Sequence, residues 1–287
     1  MQGRITKIIS NNFTVLADKE YICGARGKFR NLKITPLVGD EVVFDENKKI
    51  ILQIASRKNS LIRPPIANID QALIVVSVKE PNLDLYLLDK LLCIIEFNNI
   101  KPIICFTKLD LLDDLTSIKK IEDYYQKIGY EVYENKDESI KKIFKNKVTV
   151  FAGQSGAGKS TLLNILDSSL NLQTNEISKS LGRGRHTTRH VSLLPILGGW
   201  CADTPGFSSL SLNEMSHNDI KDNFVEFNLY RNKCAYKDCM HDKEDDCEIK
   251  RRLGNDILES RYENYIKFLR KEKVWKYQPH FYQLKII

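Results

Sequence analysis

Residues 153–160 read Gly-Gln-Ser-Gly-Ala-Gly-Lys-Ser, a G-x-x-x-x-G-K-S pattern that can hold a chain of phosphates. An apolar run at 148–151 predicts a strand before the pattern, and residues 160–166 predict an amphipathic helix after it, which is the context that the pattern requires. Glycines let backbone N–H groups converge on phosphate oxygens, and the helix start adds the positive end of its dipole. We therefore expect Lys159 to contact the β- and γ-phosphates and the Ser160 hydroxyl to bind Mg²⁺.

A second motif, Asp203-Thr204-Pro205-Gly206, follows the apolar run at 191–202 and lies 43 residues after the phosphate loop. An aspartate at a strand end can bind the same metal ion, so Asp203 is predicted to be a further Mg²⁺ ligand. The backbone N–H of Gly206 is predicted to sense the γ-phosphate, because such contacts order a loop before hydrolysis and release it afterwards. Alone, the tetrapeptide would indicate only a turn.

Thr107-Lys108-Leu109-Asp110 closes an apolar strand predicted at 102–106. These residues resemble the [NT]-K-x-D motif of the GTPase superfamily, whose aspartate accepts hydrogen bonds from the N1–H and the exocyclic amine of guanine. Adenine lacks this pair of donors and would leave a buried carboxylate unpaired, which favours GTP over ATP. Taken alone, the four residues would more often be a solvated loop between a strand and a helix.

Together these motifs predict one nucleotide site, and Lys159 is also predicted to take part in catalysis. Its residues are Thr107, Lys108, Asp110, Gly153, Gln154, Ser155, Gly156, Ala157, Gly158, Lys159, Ser160, Thr161, Asp203 and Gly206.

The base motif precedes the phosphate loop by 43 residues, whereas in ordinary GTPases it follows that loop. A permuted chain can assemble the same pocket, because strand positions in a sheet survive a change of chain termini. In this order the chain resembles the circularly permuted GTPases, specifically the family of small-ribosomal-subunit-dependent GTPase A. The resemblance implies a monomeric enzyme that hydrolyses GTP to GDP and phosphate in late maturation of the small (30S) subunit, binds 16S rRNA and is stimulated by the subunit. The family's Ser-Ala base-loop motif is not recognisable around Glu134-Asn135-Lys136.

Residues 182–189, Gly-Arg-Gly-Arg-His-Thr-Thr-Arg, lack apolar periodicity and are predicted to form a loop. They resemble switch I of the family, in which a threonine completes Mg²⁺ coordination, and we favour Thr188 over Thr187. Phe207 stands where many GTPases place a water-orienting glutamine, so another group must take that role. The resemblance puts His186 beside the γ-phosphate, where an imidazole can orient water. The alternatives are an RNA-contacting or merely solvated loop, and a histidine that only helps to fold it.

Cys234, Cys239, His241 and Cys247 place three thiols and an imidazole within fourteen residues. This donor set fits a tetrahedral Cys₃His zinc site, closed to water and therefore structural. The spacing resembles the family's C-x₄-C-x-H-x₅-C motif, although Asp245-Asp246 stands where a Pro-Gly pair often precedes the last cysteine. We expect one Zn²⁺ per chain, and the alternative is a set of reduced cysteines that are only buried.

The elements that must position these residues divide the chain into predicted units at 1–66, 67–212 and 213–287. The first unit predicts a five-stranded barrel of the OB type. Its strands are predicted at 3–9, 13–17, 21–29, 41–45 and 50–56, and an extended linker at 61–66. The last unit is predicted to be helical around the cysteine cluster, with Leu258, Tyr262, Tyr265 and Leu269 as a core-packing stripe.

The middle unit alternates apolar runs with helical stretches, which favours an α/β fold with a parallel sheet covered by helices on both faces. Its predicted strands lie at 72–78, 102–106 and 148–151, and its predicted helices at 83–97, 118–128 and 160–166.

The 287 residues carry a net charge of +7, with 42% hydrophobic and 28% charged residues, as is ordinary for a globular protein. The excess of basic residues lies at residues 1–66, which contain 12 Lys and Arg and 6 Asp and Glu. This positive charge favours a barrel that binds rRNA over a barrel that only docks on the next unit. We expect a cytoplasmic location without a membrane partner, because neither a signal-peptide core nor an apolar run of ~18 residues is present. A nucleotide-gated RNA-binding module with incidental hydrolysis and an ATPase or kinase are the competing functions.

Overall fold

The computed structural model describes residues 1–25, 27, 29, 34–61, 65–167, 191–203 and 211–270, and only the backbone of Asp203. Among these residues, an 11-stranded sheet runs from a parallel part at one end to a closed barrel at the other. No helix in the described ranges has the length and apolar composition that crossing a membrane requires.

Five N-terminal strands form the barrel, as predicted. They are β1 (Gln2–Ile9), β2 (Asn12–Leu16), β3 (Glu20–Ala25), β4 (Glu41–Asp45) and β5 (Ile50–Ile54). The order is β1-β2-β3-β5-β4, and pairing of β4 with β1 closes it. Alternate residues such as Phe13 and Val15 of β2 point inward, which is the period of two that a half-buried strand requires. Strand β3 ends at Ala25, so the strand predicted at 21–29 is too long.

The first and last residues of the extended linker predicted at 61–66 lie in two short paired strands instead. Strands β6 (Ser60–Leu61) and β7 (Ile66–Ala67) are antiparallel, and Leu61 pairs with Ile66. The strand pair is tied to the barrel, because the Ala67 N–H donates to the Val38 carbonyl at 2.8 Å. Local sequence did not reveal this pairing, since each strand has only two residues.

The parallel part contains the predicted βα alternation. Its elements are β8 (Gln71–Ser77), α1 (Leu85–Phe97), β9 (Lys101–Thr107), α2 (Thr116–Lys127), β10 (Glu131–Glu134), β11 (Val148–Gly153) and α3 (Lys159–Leu166). Helices cover both faces, as expected: Ile74 and Val76 of β8 pack in the cluster with α1 and α2, whereas Leu73 and Val75 pack in the cluster with α3. Strand β10, at the edge of the sheet, was not predicted.

The apolar run at 191–202 is two strands, β12 (Ser192–Ile196) and β13 (Gly199–Asp203), instead of one. The chain reverses at Leu197 and Gly198, both of which have positive φ. Strand β13 joins the parallel strands beside β11, and β12 pairs with β1 of the barrel through Ser192 and Lys7. This hairpin therefore makes the barrel and the parallel strands one sheet.

The C-terminal unit contains helices α4 (His217–Asp222), α5 (Glu248–Arg251) and α6 (Glu259–Leu269). Its core packs on α1, since Cys93 and Ile94 belong to the same apolar cluster as Phe224 and Phe268. The predicted stripe on α6 is confirmed in part as core, because Tyr265 and Leu269 are buried there.

Arg261 of α6 is buried between this unit and α1 and pairs with two carboxylates. Its guanidinium donates to both oxygens of Glu226, at 2.5 and 3.0 Å, and to Oδ1 of Asp89 on α1, at 2.7 Å. Asp89 also accepts hydrogen bonds from the Tyr125 hydroxyl at 2.6 Å and the Asn264 amide at 2.7 Å. Sequence reasoning did not foresee this cluster.

Candidate functional site

The strands that carry the base motif and the phosphate loop end at the same edge of the sheet. In register, Thr107 of β9 pairs with Ser77 of β8, and Val75 of β8 pairs with Gly153 of β11. Parallel strands bring their carboxyl ends together, and ligands of open α/β sheets bind outside those ends. The base motif and the phosphate loop are separated by 43 residues in the chain, but only strand β8 lies between the strands that carry them.

The phosphate loop has a backbone that needs glycine at its start. Gly153 has φ +122°, and a Cβ atom there would lie 2.1 Å from the Val75 carbonyl oxygen, a distance that no side chain tolerates. Gly156 and Gly158 also have positive φ, at +79° and +92°. The loop can therefore curl over the end of β11 because glycine occupies these positions.

The start of α3 presents backbone N–H groups to this loop. The amides of Gly158, Lys159 and Ser160 donate no hydrogen bond to any residue that the structure describes. Ser155 and Gly156 are exposed, and Thr161 is exposed on the first turn. First-turn amides and the positive end of a helix dipole bind anions, so this arrangement suits phosphate oxygens.

Lys159 folds back into the loop. Its ammonium nitrogen donates to the carbonyl oxygens of Gly153 at 3.0 Å and Gln154 at 2.7 Å. Burial lowers the pKa of Lys159 to about 8, because the charged amine has lost part of its hydration. A phosphate chain at this position would supply the negative charge that the carbonyl oxygens only partly replace.

Thr107 joins the base motif to the phosphate loop. Its hydroxyl donates to the Ala157 carbonyl at 2.7 Å, and both residues are buried. The next residue, Lys108, adopts the left-handed conformation with φ +62° and begins a single 3₁₀ turn, Leu109–Leu111. Asp110 lies exposed on that turn, where its carboxylate can face a base.

Residues 134–136, where the family's base-loop motif is not recognisable in the sequence, follow strand β10 beside the base motif. Strand β10 runs parallel to β9 with Glu134 opposite Phe106, and the Asn135 N–H donates to the Phe106 carbonyl at 2.9 Å. Residues 134–136 therefore lie beside the end of the strand that leads into Asp110. The signal in the sequence was weak, because β10 has only four residues and none of them is fully buried.

The remaining predicted residues are placed less completely. Ala202 of β13 pairs with Val150 of β11, so the backbone of Asp203 reaches the same edge of the sheet. The predicted switch residues and the glycine of the second motif lie outside the described residues, as does the phenylalanine after it. These are His186, Thr187, Thr188, Gly206 and Phe207.

The four predicted zinc ligands converge in the C-terminal unit. Their ligand atoms lie within 4.8 Å of one another. His241 Nδ1 is 3.3 Å from the sulfur of Cys247 and 3.6 Å from that of Cys234. Zinc bonds of about 2.3 Å to sulfur and 2.0–2.1 Å to nitrogen in a tetrahedron separate these atoms by about 3.6 Å. The residues therefore fit a zinc ion.

Helix α6 holds the loop that carries these ligands. The hydroxyls of Tyr262 and Tyr265 donate to the carbonyls of His241, at 2.7 Å, and Met240, at 2.5 Å. The Glu244 carboxylate accepts hydrogen bonds from the backbone amides of Met240, at 2.8 Å, and Asp242, at 3.0 Å. Tyr262 and Tyr265, predicted only to pack in the core, thus also fix the loop that carries the predicted zinc ligands.

Burial sets the protonation of the ligands. It lowers the pKa of His241 to about 4, with Lys221 and Arg231 acting in the same direction, so the imidazole is neutral near pH 7. It raises the pKa of the Cys239 thiol to about 12. Metal binding at this site is therefore coupled to the loss of thiol protons.

Comparisons with known proteins agree with this geometry. Residues 54–213 match the family model described as RsgA GTPase, and residues 2–50 match the one described as RsgA N-terminal domain. The small ribosomal subunit biogenesis GTPase RsgA 2 of Oceanobacillus iheyensis is 48% identical, with 98% of this chain and 99% of the relative covered. The small ribosomal subunit biogenesis GTPase RsgA of Bacillus subtilis is 44% identical, with 95% and 97% covered.

Two crystal structures share the fold over nearly the full length. YloQ, described as a circularly permuted GTPase, is 36% identical with a TM-score of 0.78, and 94% of each chain is covered. YjeQ from Thermotoga maritima is 34% identical with a TM-score of 0.80, covering 94% of this chain and 97% of the other. Both family models, the relatives and the permuted order of motifs along the sheet lead to one conclusion: the chain belongs to the RsgA GTPase family.

Proposed function

We propose that this chain hydrolyses GTP to GDP and phosphate in the biogenesis of the small ribosomal subunit. The observation that carries the proposal is the 2.7 Å hydrogen bond from the Thr107 hydroxyl to the Ala157 carbonyl. This bond fixes a base-reading turn against a phosphate loop, so one nucleotide can contact both. Membership of the RsgA GTPase family supports the same activity.

In this proposal each described residue has a chemical task. Asp110 accepts hydrogen bonds from the guanine N1–H and 2-amine, and Lys108 lies beside it over the base. The amides around Gly158 and the ammonium of Lys159 hold the phosphates and stabilise the charge that develops as the γ-phosphate leaves. Ser160 offers a hydroxyl to Mg²⁺, which supplies further charge neutralisation when bound.

The switch residues outside the described ranges, together with the side chain of Asp203, complete the proposal from sequence alone. Asp203 and Thr188 are proposed as the other protein ligands of Mg²⁺, and Gly206 as the contact to the γ-phosphate. Because Phe207 cannot orient water, His186 is proposed to do so. A histidine that acts only when a partner orders its loop would give slow intrinsic turnover and strong stimulation.

The partner in this proposal is the small (30S) ribosomal subunit, bound through 16S rRNA. Relatives whose names state a role in small ribosomal subunit biogenesis support it. So does the basic excess at residues 1–66, which form the proposed barrel unit, followed by a GTPase unit at 67–212 and a zinc unit at 213–287. We further propose that the chain is a cytoplasmic monomer.

Nucleotide titration tests the proposed recognition of guanine. We expect GDP to bind far more tightly than ADP, and Asp110→Asn to weaken GDP binding at least about tenfold. Asp113→Asn makes the same charge change at an exposed position three residues away and should leave GDP affinity unaltered. Equal affinities of the wild type for GDP and ADP would sink the proposed function.

Turnover with purified subunits tests the proposed partner. GTP hydrolysis should accelerate with small subunits and not with large ones, and the acceleration should weaken at higher salt because phosphate contacts dominate binding. His186→Ala should remove most of the stimulation. If the small subunit leaves the GTP hydrolysis rate unchanged, the chain is better described as a nucleotide-gated RNA-binding module.

The metal proposal is one structural Zn²⁺ held by Cys234, Cys239, His241 and Cys247. Elemental analysis of protein purified without added metal should give one zinc per chain, and Cys239→Ser should lower that ratio and the thermal stability. Cys105→Ser, which changes a buried thiol in β9 far from the cluster, should leave the zinc content at one. A wild-type preparation free of zinc would overturn this assignment.

A further inference from the structure

The turn at residues 77–81, which follows β8, lies between the base motif and the phosphate loop. Ser77 is buried and its hydroxyl donates to the Lys79 carbonyl at 2.7 Å, which fixes the shape of the turn. On one side, Pro81 Cδ lies 3.6 Å from the position that a Cβ of Gly156 would occupy. The turn therefore borders the phosphate loop.

On its other side, the 77–81 turn holds both ends of the 3₁₀ turn that carries Asp110. The ammonium of Lys108, at the start of that 3₁₀ turn, donates to the Glu80 carbonyl. The ammonium of Lys79 donates to the carbonyl of Leu111, its last residue, at 2.8 Å. The 3₁₀ turn is thus attached at each end by a lysine hydrogen bond to the same neighbouring turn.

Such attachment matters because the 3₁₀ turn has little structure of its own. It has three residues, and no side chain in the described ranges caps its first amide. Its backbone hydrogen bonds within the described chain run from the Leu111 amide to the Lys108 carbonyl, at 3.1 Å, and from the Leu112 amide to the Leu109 carbonyl, at 3.1 Å. Only Leu109 is buried, and Asp110 is exposed. A short 3₁₀ segment of this kind is weakly held by its own hydrogen bonds.

We propose that Lys79 is a positioning residue for guanine recognition: it fixes the end of the 3₁₀ turn so that both carboxylate oxygens of Asp110 meet the base together. Lys79 does not touch the nucleotide in this scheme and acts only through Leu111. The inference rests on the proposed function, because it presumes that Asp110 reads guanine. It adds a residue outside the T-K-L-D motif to the determinants of base specificity.

The chemistry predicts a particular defect when this attachment is lost. Guanine offers Asp110 two donors, N1–H and the 2-amine, whereas hypoxanthine offers only N1–H. A carboxylate that is held in place gains from the second donor, but a carboxylate on a loosened turn gains less, because both bonds require one fixed orientation. The ratio of IDP to GDP dissociation constants therefore reports on the positioning of Asp110.

The experiment compares Lys79→Met with wild type by calorimetric titration of GDP, IDP and ADP in Mg²⁺ buffer. We expect the GDP dissociation constant to rise about 3- to 10-fold, as loss of one such hydrogen bond implies, and the IDP constant to rise less, so that their ratio falls. Lys79→Arg keeps a donor and should restore the ratio. Ser77→Ala, which removes the bond that shapes the turn, should lower the ratio in the same direction.

Lys101→Met is the matched control. It removes the same charge from an exposed lysine at the opposite end of β9, where its partner is Glu131, and should leave all three affinities unchanged. Equal weakening of GDP and IDP by Lys79→Met would mean that Lys79 only stabilises the fold or attracts phosphates, and would overturn the inference alone. A wild type without guanine preference would overturn the proposed function and this inference with it.

Discussion

Two desolvated cations of this chain, the partly buried Lys159 in the phosphate loop and the fully buried Arg261 in the C-terminal unit, have opposite surroundings. Among the described residues, the hydrogen-bond acceptors of the Lys159 ammonium are two carbonyl oxygens, and burial lowers the pKa of Lys159 to about 8. Arg261 is fully buried, but the carboxylates of Glu226 and Asp89 outweigh the effect of burial and raise its pKa above the ordinary value. Arg261 therefore has negatively charged partners within the described residues, whereas the described partners of Lys159 are neutral.

The difference distinguishes a candidate binding site from a structural cluster. The Arg261 cluster is closed, since Asp89 accepts three hydrogen bonds and Glu226 accepts a bidentate pair from the guanidinium. Its aromatic neighbour Phe224 covers the guanidinium at 4.6 Å from the ring centroid. No ligand is needed to complete it. The Lys159 ammonium has lost part of its hydration without gaining a described carboxylate partner, and an anionic ligand would compensate for that loss. A perturbed pKa of this kind is typical of functional sites.

The largest effect should come from breaking the closed cluster. Arg261→Met leaves Asp89 and Glu226 buried without their cation, so the free energy of unfolding should fall by about 3–5 kcal/mol in urea titrations. Arg231→Met removes an exposed ion pair to Asp222 in the same unit and should cost below about 1 kcal/mol. A similar small loss for both variants would contradict the comparison.

A second substitution distinguishes unpaired charge from lost packing in that variant. Glu226→Gln in the Arg261→Met background removes one stranded carboxylate, so it should recover part of the lost stability, at least about 1 kcal/mol. The same Glu226→Gln change in the wild type should be destabilising, because it weakens the bidentate pair with Arg261. No recovery in the double variant would assign the loss to packing.

The phosphate-loop cation should give stability and activity effects of opposite sign. Lys159→Met removes a partly desolvated charge, so without nucleotide at pH 7 its free energy of unfolding should exceed that of wild type by about 1–3 kcal/mol. GTP turnover should fall at least about 100-fold, because a donor to the transferring phosphate is lost. Unfolding titrations and single-turnover assays measure the two quantities. A variant that loses stability as well as turnover would place Lys159 with Arg261 as a structural cation.

The same desolvation of Lys159 predicts that this stability difference depends on pH. The Lys159 amine has a pKa of about 8 in the folded chain and an ordinary value of 10.5, so the folded protein loses the proton first as pH rises. Wild type should therefore gain stability relative to Lys159→Met between pH 8 and 10.5, by up to about 3 kcal/mol, and the difference should be constant below pH 8. Unfolding titrations of both proteins across this range measure it. A difference independent of pH would mean that the amine is not desolvated.

Sequence reasoning found the features that are encoded locally. The glycine-rich loop before helix α3 follows from the spacing of its glycines and Lys159, and the cluster of potential zinc ligands follows from three cysteines and a histidine within fourteen residues. Barrel strands follow from alternation, because a half-buried strand repeats every two residues. The interpretation of the apolar run at 191–202 as one strand was wrong, because an apolar hairpin differs from an apolar strand only in its turn, here at Leu197 and Gly198.

By itself, then, the sequence determined which residues have the types and the short spacing that binding of phosphate, guanine and zinc requires. Only the tertiary structure decided that Thr107 bonds to Ala157, 50 residues away, that Lys79 holds the turn of Asp110, and that Arg261 meets Asp89 across 172 residues. The reason is physical. A charged or hydroxyl side chain looks the same in a sequence whether it faces water or a buried partner, and its partner is fixed only when distant elements pack together.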